Sequence, residues 1–195
     1  MGWYEHELGW PIAGTTPPHL VTGVRFDALR VPDKVGFAAL TRFPRPGELG
    51  PVALDGRHVL LLVAAGTAEE LPGLLEWLEW SGIPLDLTAL GTGDLMRAPA
   101  HPEWGRREAA YDRTAPVWLR PPQPGCEVEP TLPAMCFTGR AGAGTDGAAE
   151  PIGLVALVSA LATACHRLRL VENQPCSFSY ASRMDAGTRP RSLTS

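Results

Sequence analysis

Lysine is almost missing from this sequence. Of 17 lysines and arginines one is lysine, Lys34, and the other sixteen are arginine. Charged residues make up only 19% of the 195 residues, and the formal net charge is −4. Dedicated, sequence-independent nucleic-acid binders are basic, so this balance argues against that class, although a local arginine patch stays open. The arginine bias accompanies many Ala, Gly and Pro residues, and a GC-rich coding sequence is its simplest account. Four cysteines, Cys126, Cys136, Cys165 and Cys176, all lie in the second half. They form no C-x-x-C pair and have no histidine at zinc-finger spacing, so they read as free thiols of a reducing compartment. There is no G-x-S-x-G and no cysteine in an activating motif, which argues against a serine or cysteine hydrolase. The opening M-G-W-Y-E-H-E-L carries Glu5 and Glu7 and no apolar run, unlike a signal peptide. The longest apolar stretch, Ile152 to Cys165, is too short for a bilayer. A soluble cytoplasmic protein with no membrane partner is expected.

What is present suits one folded domain with a tail. Apolar residues reach 45%, enough for a core, and 21 glycines with 20 prolines imply many loops. Trp3 to Leu8 reads as a short helix stopped by Gly9, and Trp10 to Gly14 as an extended segment. Thr15 to Thr22 reads as a connection with His19 in a loop. Val24 to Pro32, V-R-F-D-A-L-R-V-P, alternates with period two and reads as a buried strand ended by Pro32. A helix follows from Asp33, its expected cap, to Phe43. Val52 to Leu54 and Arg57 to Val63 flank Asp55-Gly56, a signal for a hairpin with a type I′ turn. Thr67 and Glu70 match a capping box, opening a helix whose buried stripe is Leu71, Leu74, Leu75 and Leu78. Pro72 kinks that helix or marks its start, and Ser81-Gly82 ends it. Trp77 and Trp80 read as core packing, with base stacking as the alternative. Pro84 to Leu90 reads as a third strand carrying Asp86. The turn G-T-G-D, Gly91 to Asp94, then makes a hairpin into a last strand with Arg97.

From His101 the composition turns irregular, with Trp104 and Trp118 as anchors and a flexible Gly139 to Gly147 linker. Pro151 to Leu170 is the clearest helix, with Leu154, Leu157, Val158, Leu161, Cys165 and Leu168 at three- and four-residue steps. It packs back on the sheet domain or offers its apolar face to a protein partner. Residues 171–195 read as a disordered tail. The boundaries are therefore a core at 1–100, an irregular segment at 101–150, a C-terminal helix at 151–170 and the tail.

Taken in order, V-R-F-D-A-L-R-V-P, G-R-H-V-L-L-L-V (Gly56 to Val63), P-L-D-L-T-A-L (Pro84 to Leu90) and G-T-G-D-L-M-R-A-P-A resemble the N-terminal domain of bifunctional DNA primase/polymerases. The match covers Trp3 to Ala100 and is nearest to the short actinobacterial members. The resemblance implies an archaeo-eukaryotic primase-like α+β fold, a mixed sheet flanked by helices. It also implies a first strand ending in two carboxylates one residue apart, which share divalent ions in a two-metal polymerase. Here Arg30 and Pro32 stand at those positions, and neither ligates a metal. His58 matches the family's second motif, where a histidine contacts nucleotide phosphates, and Asp86 matches the aspartate of the third.

Three functions follow. In the first, the domain has lost its metal chemistry and binds nucleotide or nucleic acid through Arg30, Arg57 and His58, or regulates an active relative; no cofactor is then needed. In the second, Asp27 and Asp86 hold Mg or Mn in a rearranged nucleotidyltransferase site, with His58 and Asp86 catalytic. Asp27 is three residues from Arg30, on the other strand face, so this requires a bulge. In the third, the fold is a non-enzymatic scaffold that binds protein through its C-terminal helix. The balance falls toward the first, a non-enzyme.

Overall fold

The chain is described by a computed structural model over residues 2–45, 47–102, 115–123, 127–135 and 151–173. It is an α+β protein with two antiparallel sheets and a C-terminal helix, rather than one mixed sheet. The strands are β1 (Ile12–Ala13), β2 (His19–Val21), β3 (Asp27–Pro32), β4 (Val52–Asp55), β5 (His58–Val63), β6 (Thr88–Leu90), β7 (Leu95–Arg97) and β8 (Val117–Arg120). The helices are α1 (Asp33–Arg42), α2 (Thr67–Trp77) and α3 (Leu154–Glu172), preceded by a short helical turn, Trp3–Glu7. The larger sheet has the order β6-β3-β5-β4-β8 and the smaller one β1-β2-β7.

Strands β3 and β5 are central and buried on both faces except toward the Arg30 and His58 end, and β5 accordingly reads as a near-continuous apolar run. Their alternate residues divide between two cores. Leu29, Val31, Val59, Leu61 and Val63 pack with Val35 and Ala39 of α1, Leu71 and Leu74 of α2, and Leu154, Leu157, Val158 and Leu161 of α3. Ala28, Leu60 and Leu62 face the other way, onto Tyr4, Trp10, Leu20, Phe26 and Met96. The helices thus cover one face of the larger sheet, and the smaller sheet with the N-terminal aromatic residues covers the other. Trp118 anchors β8 by donating from Nε1 to the Tyr4 hydroxyl at 3.0 Å.

Several expectations are corrected. Val24 and Arg25 precede β3, and Val24 is 60% exposed, because the chain turns at Gly23 (φ +82°) before the ladder begins. His19 lies on β2, paired with Arg97, rather than in a loop. The hairpin turn falls on Gly56-Arg57, with Asp55 opposite His58. Positive φ is confined to Gly56, as a type II′ turn requires and a type I′ turn does not. Asp33 is the first helical residue of α1 and Pro32 its cap. Thr67 is likewise inside α2, whose cap is Gly66, and no capping box forms. The helix stops at Trp77, where Glu79 turns to φ +63°. Trp77 is 70% exposed rather than core, while Trp80 is half-buried against the His166 ring.

The third strand is only Thr88–Leu90, which leaves Asp86 in an exposed loop. Nor do β6 and β7 form a hairpin: β6 pairs with β3, and β7 with β2 in the other sheet. Pro151 precedes α3, which is capped by Gly153. By length and composition α3 could cross a membrane, with a mean hydropathy of 1.5, contrary to the shorter apolar run read from the sequence. Its Leu154, Leu157, Val158, Leu161, Ala162 and Cys165 are buried in the core. The segment read as irregular supplies β8, an edge strand of the larger sheet. Trp104, the 139–147 linker, Cys126, Cys136, Cys176 and residues 174–195 lie outside the described residues.

Candidate functional site

The β3–β5 ladder places most of the candidate residues. Pro32 pairs with His58 and Arg30 with Leu60, so Arg30 and His58 are diagonal neighbours on the face toward the smaller sheet. His58 stands where β5 leaves its two-residue turn, which puts Arg57 beside it at the rim. The Arg57 carbonyl accepts the Asp33 N–H at 2.9 Å, tying this turn to the start of α1. Antiparallel pairing of Thr88 with Arg30 sends the preceding residues past the Pro32 end of β3, which brings Asp86 to the same end. Arg30, Arg57, His58 and Asp86 therefore gather at one edge of the molecule.

Arg30 and His58 are in direct contact. The Arg30 Nη2 is 3.1 Å from His58 Nδ1 and 3.5 Å from Nε2. An in-plane hydrogen bond to one ring nitrogen would leave the other much farther away. A nearly equidistant point in the ring plane would collide with the carbon between them. An Arg30 N–H therefore points at the imidazole from above the ring plane, within hydrogen-bond distance of its nitrogens. The remaining guanidinium donors stay available to a ligand. Arg30 is exposed and His58 half-buried.

Two grooves open here. One of about 210 Å³ lies between the sheets and is lined by His19, Arg30, Asp55, Met96 and Arg97. Its charge is partly spent, because Arg97 Nη1 donates to Asp55 Oδ1 at 2.7 Å. The other, about 610 Å³, passes below the strand ends and is lined by Lys34, Arg57, His58, Leu85, Asp86 and Leu168, among others. Lys34 pairs with Glu172 at 3.3 Å, and Arg169 donates to the Pro84 carbonyl, so the end of α3 is tied to both walls. Cys165 at the floor donates to the Asp86 carbonyl at 3.6 Å. Burial, with the Asp86 carboxylate nearby, pushes its thiol pKa up to about 12, so it is no nucleophile.

Asp27 is at the opposite end of β3, five residues from Pro32 and so roughly 16 Å away at about 3.3 Å per residue. It is fully buried, and its Oδ2 accepts the Ala68 N–H of α2 at 2.8 Å. This is the helix-capping part that the sequence assigned to Thr67. Burial raises the Asp27 pKa, the Ala68 amide opposes that, and the Glu69 carboxylate adds to it. The G-T-G-D turn is closed on itself: Gly91 N–H donates to Asp94 Oδ2 at 3.0 Å and Asp94 N–H to Gly91 O at 3.1 Å. Those amides are therefore taken rather than open to a phosphate.

The donor set does not fit the two-metal centre that the resemblance implies. Arg30 and Pro32, at the positions that the resemblance assigns to the carboxylates, cannot ligate a metal, Asp27 and Asp86 are at opposite ends of β3, and no three His, Cys, Asp or Glu side chains converge among the described residues. Sequence reasoning missed the Asp55–Arg97 pair, since the two meet only when the sheets stack, and it missed the part played by Lys34 and Arg169. Their only sequence signal was position, next to Pro32 and in the last turn of the C-terminal helix. No family model, curated protein or solved structure matches this chain.

Proposed function

We propose that this chain is a catalytically degenerate, primase/polymerase-like domain that binds the phosphates of a nucleotide or nucleic acid without metal chemistry. The observation that carries the reading is Arg30 in hydrogen-bond contact with His58, with Arg30 at the position that the resemblance assigns to a metal carboxylate. A guanidinium there supplies positive charge and forked donors for phosphate oxygens. His58 adds an imidazole N–H, and Arg57, which has no side-chain partner among the described residues, lies alongside.

Titration calorimetry with a deoxynucleoside triphosphate tests this. Arg30→Ala is expected to weaken binding about tenfold or more, the range for hydrogen bonds to charged groups. Unchanged affinity in that variant removes Arg30 from the site and with it the reading.

The scaffold reading draws on one observation. Leu170 and Val171, in the last turn of α3, are 55% and 69% exposed. If they bind protein, Leu170→Ser with Val171→Ser abolishes capture of that partner and leaves nucleotide affinity unchanged; equal capture by the doubly substituted chain rules the surface out.

A further inference from the structure

The larger groove holds two charged side chains that the fold does not use. Lys34 is paired with Glu172, Arg169 is held by the Pro84 carbonyl, and the Cys165 thiol is bound to the Asp86 backbone. Arg57 at one wall and the Asp86 carboxylate at the other have no side-chain partner among the described residues. Between them the lining includes Pro84, Leu85 and Leu168, apolar surface suited to a flat ring. Lys34 and Arg169 are engaged with Glu172 and the Pro84 carbonyl rather than with Asp86. The Cys165 contact fixes the loop from which its carboxylate projects.

We propose that this groove reads the base of a nucleotide whose phosphate lies at its Arg57 and His58 rim, and that Asp86 selects guanine. The inference rests on the phosphate reading above. A carboxylate is acceptor-only and presents two oxygens. It matches a base edge with two adjacent N–H donors, and guanine's N1–H and N2–H₂ form such an edge. Adenine and cytosine each place a ring-nitrogen acceptor beside their amino group, and uracil and thymine flank one N–H with two carbonyls. Each of those sets a lone pair against a carboxylate oxygen. Arg57, His58 and Asp86 line the same groove, Asp86 from the loop before β6 and His58 from the start of β5, next to Pro32. The groove volume, about 610 Å³, lies within the range of small-molecule sites.

The test is calorimetric titration of the full chain with GTP, ITP and ATP, and with inorganic pyrophosphate, for the native sequence and for Asp86→Asn. The expected order is GTP tightest, ITP weaker for want of the N2 amine, and ATP weakest, with GTP and ATP about tenfold or more apart. Asp86→Asn is exposed and foldable; it should erase the preference while leaving pyrophosphate affinity unchanged. Equal binding of GTP and ATP, or a preference that survives Asp86→Asn, overturns the base assignment and leaves the phosphate site standing. Failure of all three nucleotides and of pyrophosphate overturns both.

Discussion

Asp27 is fully buried, with one carboxylate oxygen on the Ala68 amide and the other, Oδ1, making no hydrogen bond among the described residues. Burial raises its pKa above the ordinary 3.8, so the folded chain holds that proton more tightly than the unfolded chain. The stability linked to the proton is fully present below the unfolded value and is lost as pH rises through the folded one. Asp27→Asn cannot titrate. The urea midpoint of the native chain should therefore fall relative to that of Asp27→Asn as pH rises above about 4; a difference that stays constant with pH would contradict this. Cys165 offers a second check at this scale. With its thiol pKa pushed up to about 12 and its side chain buried, alkylation in the folded protein near pH 8 should be slow and should need unfolding. Mass spectrometry of the Cys165 peptide reads this directly, and rapid labelling under native conditions would place the thiol at the surface.

Helix α1 lies close on β5 because Gly36 has no side chain. A Cβ built there would fall 2.3 Å from the Val59 Cβ. Gly36→Ala must push the helix off the sheet, at a cost of about 1–3 kcal/mol despite alanine's better helix propensity. The urea midpoint measures it, and an unchanged or raised midpoint would show that the packing is looser than described. Leu157, fully buried in α3 against the same face, should cost about 2–5 kcal/mol when truncated to alanine. These elements were readable from the sequence because their signals are local. Period-two and three-four spacing located β3, β5, α1, α2 and α3. The caps were not readable. Thr67 and Asp33 look like N-caps from their neighbours, yet α2 is capped by a carboxylate from 41 residues away, which no local pattern encodes. The strand read at Pro84 to Leu90 failed for a similar reason: only Thr88–Leu90 has a partner strand to pair with.

At the scale of the molecule, two sheets and three helices make one sheet with two covered faces, and the candidate site lies at its open end. Arg30, Arg57, His58 and Asp86 were all named from the sequence, and the β3–β5–β6 register gathers them. Asp27 was grouped with them because it shares a strand with Arg30, but a strand has two ends, and Asp27 is at the far one. The Asp55–Arg97 pair and the floor beneath Asp86 depend on how separate layers stack, which chain order does not reveal. In the function proposed for this chain, positive charge from Arg30, with His58 beside it, takes the place of metal at this end of the sheet. The most direct test of this claim is calorimetric titration of the full chain with a deoxynucleoside triphosphate, in manganese and again in excess chelator. Equal affinity in the two conditions is the predicted result. Binding that appears only with manganese would contradict the claim.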